Sequence, residues 1–177
     1  MLILGLNAYH GDSSACLVRD GHLVAAVEEE RLRRVKHWAG FPSQAIDNCL
    51  QQAGAKLEDI DHIAINRQPG VNNARRLQFL LTHWPDPRLV FAKLRNLGRA
   101  ATAESALRTT YPQTRIRAQF HHVEHHMAHL ASAYLASPFE EAVCVSVDGF
   151  GDFASAAWGM GRGKDRKSTR LNSSHRT

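Results

Sequence analysis

Three short apolar segments lie within the first 27 residues and are separated by polar turns. They cover residues 2–6, 15–18 and 23–27. The second and third segments are joined through Asp20 and Gly21, a dipeptide typical of two-residue β-hairpin turns. Segments of this length between turn residues are typical of strands. The sequence therefore predicts a sheet that opens with three strands and at least one tight hairpin.

The remainder of the chain alternates between helical and strand patterns. A helix is predicted over residues 44–52, with Ser43 as its N-cap and Gly54 ending it. Further helices are predicted over residues 73–83, 89–108 and 124–136. Further strands are predicted over residues 60–65, 115–117, 142–147 and 153–158. A hairpin followed by helical crossovers predicts an α/β domain with the ribonuclease H-like topology that actin, sugar kinases and Hsp70 proteins share.

Five of the eleven histidines fall between His121 and His129. His125 and His129 are four residues apart, so a helix places both on one face, where they can hold one metal ion. No glutamate lies between them, which argues against a zinc protease. The β-branched segment at residues 143–147 predicts a buried strand that ends at Asp148, and ligands of open α/β sheets bind at that end.

The formal charge of +5 is confined to the end of the chain. Residues 1–161 carry sixteen basic and sixteen acidic side chains, whereas residues 162–177 carry six basic residues and one acid. This last stretch has one large apolar residue and no periodicity, so it has nothing to bury. We expect residues 1–161 to form the domain and residues 162–177 to be a disordered or non-native tail, with a genuine basic terminus as the alternative.

The arrangement of the cysteines and the hydropathy of the chain indicate the cellular compartment. The three cysteines, Cys16, Cys49 and Cys144, are scattered and form no CxxC pair. No apolar stretch approaches the length that spans a membrane, and no basic leader precedes the first strand pattern. We therefore expect a cytoplasmic protein that is not inserted in a membrane.

The turn at residues 7–14 offers materials for an anion site. It contains a glycine, backbone amides and the hydroxyls of Ser13 and Ser14. A turn of this composition is most often only a turn. Its position after the first strand makes Asn7, Ser13 and Ser14 candidates for nucleotide phosphate contacts, and His10 a candidate catalytic residue.

Four separated motifs, in one order, resemble the amino-terminal part of the NodU/CmcH carbamoyltransferases. They are ILGLNAYHGDSSA at residues 3–15, EEERLRRVKH at 28–37 leading to FP at 41–42, HHMAHLASAY at 125–134 with SPF at 137–139, and DGFGD at 148–152. The resemblance spans residues 1 to about 161. It implies a Kae1-like catalytic domain of the ASKHA (actin-like ATPase) class, truncated here after its first lobe and normally followed by a YrdC-like domain.

The resemblance also assigns site residues. It implies that His125, His129 and Asp148 hold a divalent metal, with iron or zinc favoured and magnesium the alternative. It implies that Gly149, Gly151 and Asp152 approach nucleotide phosphate, and that His10 polarises the carbamoyl carbonyl or handles the acceptor proton. His126 is expected to support the ligands, while His121 and His122 stay unassigned. The basic group at residues 31–37, which includes Arg31, Arg34, Lys36 and His37, either faces an anionic ligand or is an exposed helix end.

The implied reaction uses ATP and carbamoyl phosphate. The absent YrdC-like domain would make carbamoyladenylate, and the Kae1-like site would transfer the carbamoyl group to a hydroxyl of an antibiotic or a sugar. The acceptor and the oligomeric state stay open, with a homodimer one option. We expect no activity from this chain alone.

Two alternatives remain. The first is the related tRNA threonylcarbamoyladenosine (Kae1/TsaD-like) enzyme, but the neutral charge of residues 1–161 leaves no basic footprint for nucleic acid. The second is a non-catalytic nucleotide-binding module of the ASKHA class, which would not need the histidine pair.

Overall fold

The computed structural model describes residues 1–9, 11–67, 103–151, 154–163 and 172–176. For residues 149–151, 154–155 and 172–176 it describes the backbone alone. The chain divides into two compact units. One comprises Met1–Asn66 with Asp86–His122, and the other comprises Arg67–Pro85 with Val123–Thr177.

The first unit is built on a five-stranded sheet. Its strands are β1 (Leu2–Asn7), β2 (Ser14–Arg19), β3 (His22–Glu28), β4 (His62–Ile65) and β5 (Gln119–His122). Their order is β3-β2-β1-β4-β5, with β1, β2 and β3 antiparallel and β4 and β5 parallel to β1. The three opening strands are confirmed, and this order is that of the predicted ribonuclease H-like topology.

The tight hairpin is confirmed at the predicted dipeptide. Arg19 pairs with His22, which leaves Asp20 and Gly21 as a two-residue turn. Both have positive φ, 52° and 88°. Because that backbone conformation matches the right-handed twist of the flanking strands, aspartate followed by glycine favours this connection.

Helices α1 (Glu29–Arg33), α2 (Ser43–Ala53) and α3 (Ala103–Thr110) belong to this unit, with a short 3₁₀ helix at Leu57–Asp59. Helix α2 buries one apolar stripe, consisting of Ala45, Ile46, Cys49 and Leu50. The core also contains every second residue of β1, namely Leu2, Leu4 and Leu6. The apolar side chains that recur with the helical period in α2 and at every second position in β1 therefore belong to a single core.

Ser43 is not the N-cap of α2. It is the first helical residue, Pro42 occupies the N-cap position, and neither supplies a capping hydrogen bond. The buried carboxylate of Glu29 takes this role, because it accepts hydrogen bonds from the amides of Gln44 and Ala45 at 3.3 and 2.7 Å. Gly54 ends the helix as predicted, in the left-handed conformation with φ 59°.

The second unit contains one described helix and an antiparallel sheet. They are α4 (His125–Ala136), β6 (Glu141–Gly151), β7 (Ala154–Arg162) and β8 (Asn172–Arg176), with the strands in the order β6-β7-β8. Its described apolar core consists of Leu130 and Tyr134 from α4, Cys144 from β6 and Ala157 from β7. The helix and β6 therefore share a core, and this fixes their residues relative to one another.

Other predicted elements differ from the structure. The strand predicted at residues 115–117 lies instead at Gln119–His122, because this segment pairs with β4. The helix predicted at residues 73–83 lies outside the described residues, and so does the first part of the helix predicted at residues 89–108, as far as residue 102. Asn172–Arg176 pairs with β7 as a strand, and it lies within the stretch predicted to be a disordered or non-native tail. No described helix is long and apolar enough to cross a membrane.

Apolar side chains remain exposed on one face of β6 and β7. Val145 and Trp158 are directly paired across the two strands and are 66% and 55% exposed. Val143 and Met160 form the next exposed pair in this register. Exposed apolar patches of this kind favour association.

Gly161 provides a test of packing in the second unit. A Cβ atom added there would lie 2.6 Å from ring atoms of the buried Tyr134. We expect Gly161→Ala to destabilise the chain by about 1–3 kcal/mol through overpacking. Denaturant unfolding measures the change. Gly11→Ala is the matched control because a Cβ there meets no atom within 4 Å. Equal stability of the two variants would contradict the close contact between Gly161 and Tyr134.

Cys49 provides a test of burial in the first unit. Burial, together with the neighbouring Cys16, raises the pKa of the Cys49 thiol from 9.0 to about 11. Because the thiolate is the nucleophile, we expect alkylation of native Cys49 near pH 8 to be about a hundredfold slower than that of the unfolded chain. Mass spectrometry after timed iodoacetamide exposure measures this rate. The same shift stabilises the fold below pH 9, and that contribution is lost as the pH rises towards 11.

Candidate metal centre

Helix α4 begins immediately at the predicted histidine pair. Glu124 is its N-cap, and the carboxylate accepts hydrogen bonds from the amides of His126 and Met127 at 3.2 and 2.7 Å. A negative charge at this end also complements the helix dipole. This cap was not predicted from the sequence. It fixes the first helical turn, and therefore the position of His125.

The structure brings together the three predicted metal donors. His125 and His129 come from one face of α4, and Asp148 comes from β6. The Nε2 atom of His125 lies 2.6 Å from Oδ2 of Asp148 and 3.2 Å from Nε2 of His129. The Nε2 atom of His129 lies 3.9 Å from the same carboxylate oxygen. All three donor atoms thus surround one point in space.

The donor geometry fits a metal ion. Zinc bonds of about 2.0–2.2 Å at tetrahedral angles separate neighbouring donor atoms by about 3.3–3.5 Å. The three observed separations, from 2.6 to 3.9 Å, lie on both sides of this value. A movement of less than about 1 Å in each side chain would bring the set to ideal spacing. Two imidazoles and a carboxylate suit zinc or iron and leave coordination positions for a ligand.

Burial of the three side chains is graded. The side chain of His125 is 7% exposed, that of Asp148 is 32% exposed, and that of His129 is 52% exposed. The group is therefore anchored on the His125 side and open to solvent on the His129 side. A catalytic metal site needs this combination of fixed ligands and an accessible position.

A buried polar pair supports the histidine pair. His126 is fully buried, and its Nδ1 atom lies 3.0 Å from Oγ of Ser146 on β6. The His126 ring packs edge-on against the His125 ring at a centroid distance of 5.4 Å. His126 therefore packs against His125 and contacts Ser146, and its support of metal ligands stays a prediction. Ser146 was not predicted from the sequence. Its place two residues before Asp148 on one strand was the available signal.

The three candidates in the β1–β2 turn have different surroundings. Asn7 donates to the carbonyls of Gly11 and Asp12 at 3.2 and 3.0 Å and so closes the turn. Ser13 is fully buried, and its hydroxyl donates to the Gly40 carbonyl at 2.8 Å. Ser14 is half-buried at the first position of β2. The hydroxyl of Ser13 therefore donates into the protein, and the phosphate contacts predicted for Asn7, Ser13 and Ser14 stay predictions.

The remaining candidates are described only in part. Gly149 and Gly151 lie at the end of β6, beyond Asp148, as the sequence analysis places them. His10 and Asp152 lie outside the described residues, so their predicted roles stay predictions.

The basic segment after β3 forms local ion pairs. Arg31 lies 3.3 Å from Glu28, and the Nδ1 atom of His37 lies 2.9 Å from Oδ1 of Asp12. Asp12, Glu30 and His37 form a second, more exposed group of neighbouring donor atoms. For Arg31 and His37, these contacts favour an exposed helix end over a surface that faces an anionic ligand.

Comparison with known proteins identifies the family. The family model of the carbamoyltransferase N-terminus matches residues 2–176. The nodulation protein NolNO of Sinorhizobium fredii is 40% identical over 91% of this chain and 23% of its own length. The protein sll1178 of Synechocystis is 37% identical over 91% of this chain and 27% of its own length. The chain thus spans about a quarter of the length of these curated relatives.

The structural comparison concerns the fold alone. YeaZ from Pseudomonas aeruginosa has a TM-score of 0.51 and 18% identity, over 99% of this chain and 68% of its own. YeaZ has an ASKHA-type fold, and the predicted ribonuclease H-like α/β class is thereby confirmed. With the match of residues 2–176 and 40% identity to NolNO, the chain belongs to the carbamoyltransferase family and represents its amino-terminal part.

Proposed function

We propose that this chain forms the metal- and ATP-binding part of an O-carbamoyltransferase. In this proposal carbamoyl phosphate is hydrolysed to carbamate and phosphate, and the carbamate oxygen attacks the α-phosphate of ATP to give carbamoyladenylate and pyrophosphate. The carbamoyl group is then transferred to a hydroxyl of a small molecule, which loses its proton, and AMP is released. The YrdC-like domain of the parent polypeptide would make the adenylate. The acceptor class follows from the family resemblance alone.

The observation that supports the proposal is the convergence of His125, His129 and Asp148 in a chain of this family. These residues are separated by up to 23 positions in the sequence, yet their donor atoms lie within 4.8 Å of one another. A helix that merely packed on the sheet would not need two imidazoles facing a carboxylate. The donor set is therefore best explained by a ligand that all three share.

The chain's own residues would act by holding and orienting groups. His125, His129 and Asp148 would hold iron or zinc, with magnesium as the alternative, and Glu124 and His126 keep the first turn of α4 in place. A bound metal would supply positive charge that neutralises nucleotide phosphate. Gly149, Gly151 and Asp152 are proposed to approach that phosphate, and His10 to take the proton from the acceptor hydroxyl.

The experiment that tests this proposal measures the carbamoyl-phosphate-dependent release of AMP from ATP, because pyrophosphate already leaves when the YrdC-like domain makes the adenylate. It uses a polypeptide of the relatives' full length that contains this chain. We expect Asp148→Asn to lower the rate by about a hundredfold or more, because the variant loses an anionic ligand. Glu58→Gln is the control, since Glu58 is exposed in the 3₁₀ helix. Turnover by the Asp148→Asn variant at the rate of this control would contradict the proposal.

A further inference from the structure

His62 and His121 form a contact that the candidate metal centre does not use. His62 lies on β4 and His121 on β5, two neighbouring parallel strands of the first unit. The Nδ1 atom of His62 is 3.0 Å from Nε2 of His121, and the ring centroids are 5.0 Å apart. The structure thus gives His121, unassigned in the sequence analysis, a specific partner.

The backbone holds this pair in place. β4 and β5 pair in register, with His62 opposite Gln119 and Ala64 opposite His121. The two histidines are therefore diagonal neighbours on one face, which is within reach of long side chains. His62 is half-buried and His121 is exposed, and β5 is the last strand of the five-stranded sheet. The facing nitrogen atoms are consequently both preorganised and accessible from solvent.

The separation of the two nitrogen atoms suits chelation. With metal–nitrogen bonds of about 2.0–2.1 Å, two imidazoles on one ion are about 2.8 Å apart at a right angle and about 3.4 Å apart at a tetrahedral angle. The observed 3.0 Å lies between these values. We propose that His62 and His121 bind a divalent transition-metal ion of the zinc and copper class.

The donor type determines which ions fit. Neutral imidazole favours zinc, copper and nickel over calcium and magnesium, and copper binds most strongly in this series. Among the described residues, the groups of three neighbouring metal donors do not include this pair. Water or an external ligand would complete the coordination, so we expect weaker binding here than at His125, His129 and Asp148. The proposal rests on the first unit alone and is independent of the proposed function.

The alternative explanation is that a single proton lies between the two nitrogen atoms. One neutral imidazole can donate to the other, and a hydrogen bond between exposed groups would then explain the contact. Both explanations agree with the distance, but they predict different responses to added metal. A metal site would bind the ion through both nitrogen atoms, whereas a pair that is only hydrogen-bonded would bind no added metal.

Copper binding separates the two explanations. The chain carrying His125→Ala and His129→Ala is titrated with Cu²⁺ and followed by electron paramagnetic resonance. We expect His62→Gln and His121→Gln each to weaken binding by about tenfold or more and to remove one nitrogen from the coupling pattern. His22→Gln is the matched control, because His22 is an exposed strand histidine of the same unit. Equal Cu²⁺ affinity of all three variants would overturn the proposal.

A second measurement needs no substitution at the pair. The unaltered chain is treated with diethyl pyrocarbonate in the presence and absence of Zn²⁺, and modified histidines are located by mass spectrometry. We expect Zn²⁺ to protect both His62 and His121 and to leave His22 reactive. Modification of His62 and His121 at the same rate with and without Zn²⁺ would show a hydrogen-bonded pair only.

Discussion

Replacing Glu29 by alanine is expected to lower the free energy of unfolding by about 3 kcal/mol, because it removes a buried carboxylate that joins two helices. Glu29 is fully buried and pairs with Arg33 one turn later in α1. Its two oxygens also accept hydrogen bonds from Gln44 and Ala45 at the start of α2. One substitution therefore removes both the ion pair and the cap of α2.

The expected loss of unfolding free energy depends on how far each hydrogen-bond partner of Glu29 is exposed to solvent. The Arg33 side chain is 29% exposed and also donates to the Ser43 hydroxyl at 3.0 Å, so solvent and this contact reduce the cost of its lost partner. The amides of Gln44 and Ala45 have no other cap from Pro42 or Ser43. Loss of a helix cap alone costs about 1–2 kcal/mol.

Denaturant unfolding followed by circular dichroism measures this change. Glu28→Ala is the matched control, because Glu28 forms an exposed pair with Arg31 that is worth less than about 1 kcal/mol. Glu29→Gln should lie between the two, since its amide oxygen can still accept from the backbone. A Glu29→Ala chain as stable as Glu28→Ala would show that the carboxylate contributes little to the fold.

Replacing His125 and His129 together by alanine is expected to abolish stoichiometric metal binding. The wild-type chain should retain about one iron or zinc ion after desalting, because three donors converge on one point. The variant keeps Asp148 alone, and one carboxylate does not retain a transition metal through purification. Mass spectrometry of untagged protein measures the metal content.

Controls keep this test separate from the stability of the fold. His22→Ala changes an exposed histidine on β3 and should retain the metal. Circular dichroism of the double variant shows whether the helix forms, since the Glu124 cap and the core residues Leu130 and Tyr134 are unchanged. A folded wild-type chain without metal, even after incubation with Zn²⁺ or Fe²⁺, would contradict the three-donor assignment.

Strong local signals predicted much of the framework. The Asp20-Gly21 hairpin, the glycine that ends α2 and the helix after Glu124 each depend on backbone preferences or periodicity, which act over a few residues. The predicted strand at residues 115–117 failed for the opposite reason. Its position was decided by pairing with β4, more than 50 residues earlier in the chain, and no local pattern encodes that register.

The two histidines of the candidate metal centre were also predicted from a local signal. The spacing of His125 and His129 places both on one helix face by helical geometry alone. The contact between this pair and Asp148 required a shared core between α4 and β6, which the sequence could only suggest through the family resemblance. The buried role of Ser13 was missed because its burial depends on the segment near Gly40, and the residues around Ser13 carry no trace of that contact.

Local patterns in the sequence specify which residue types can act together: a histidine pair at helical spacing, an aspartate at the end of a strand, and hairpin strands around a polar turn. These follow from backbone geometry over a few consecutive residues. The folded chain was needed to show that Glu29 caps α2, that Ser146 supports His126 and that His121 meets His62. Each of these contacts joins distant segments, and hydrophobic burial and strand pairing bring such segments together without regard to their separation in sequence.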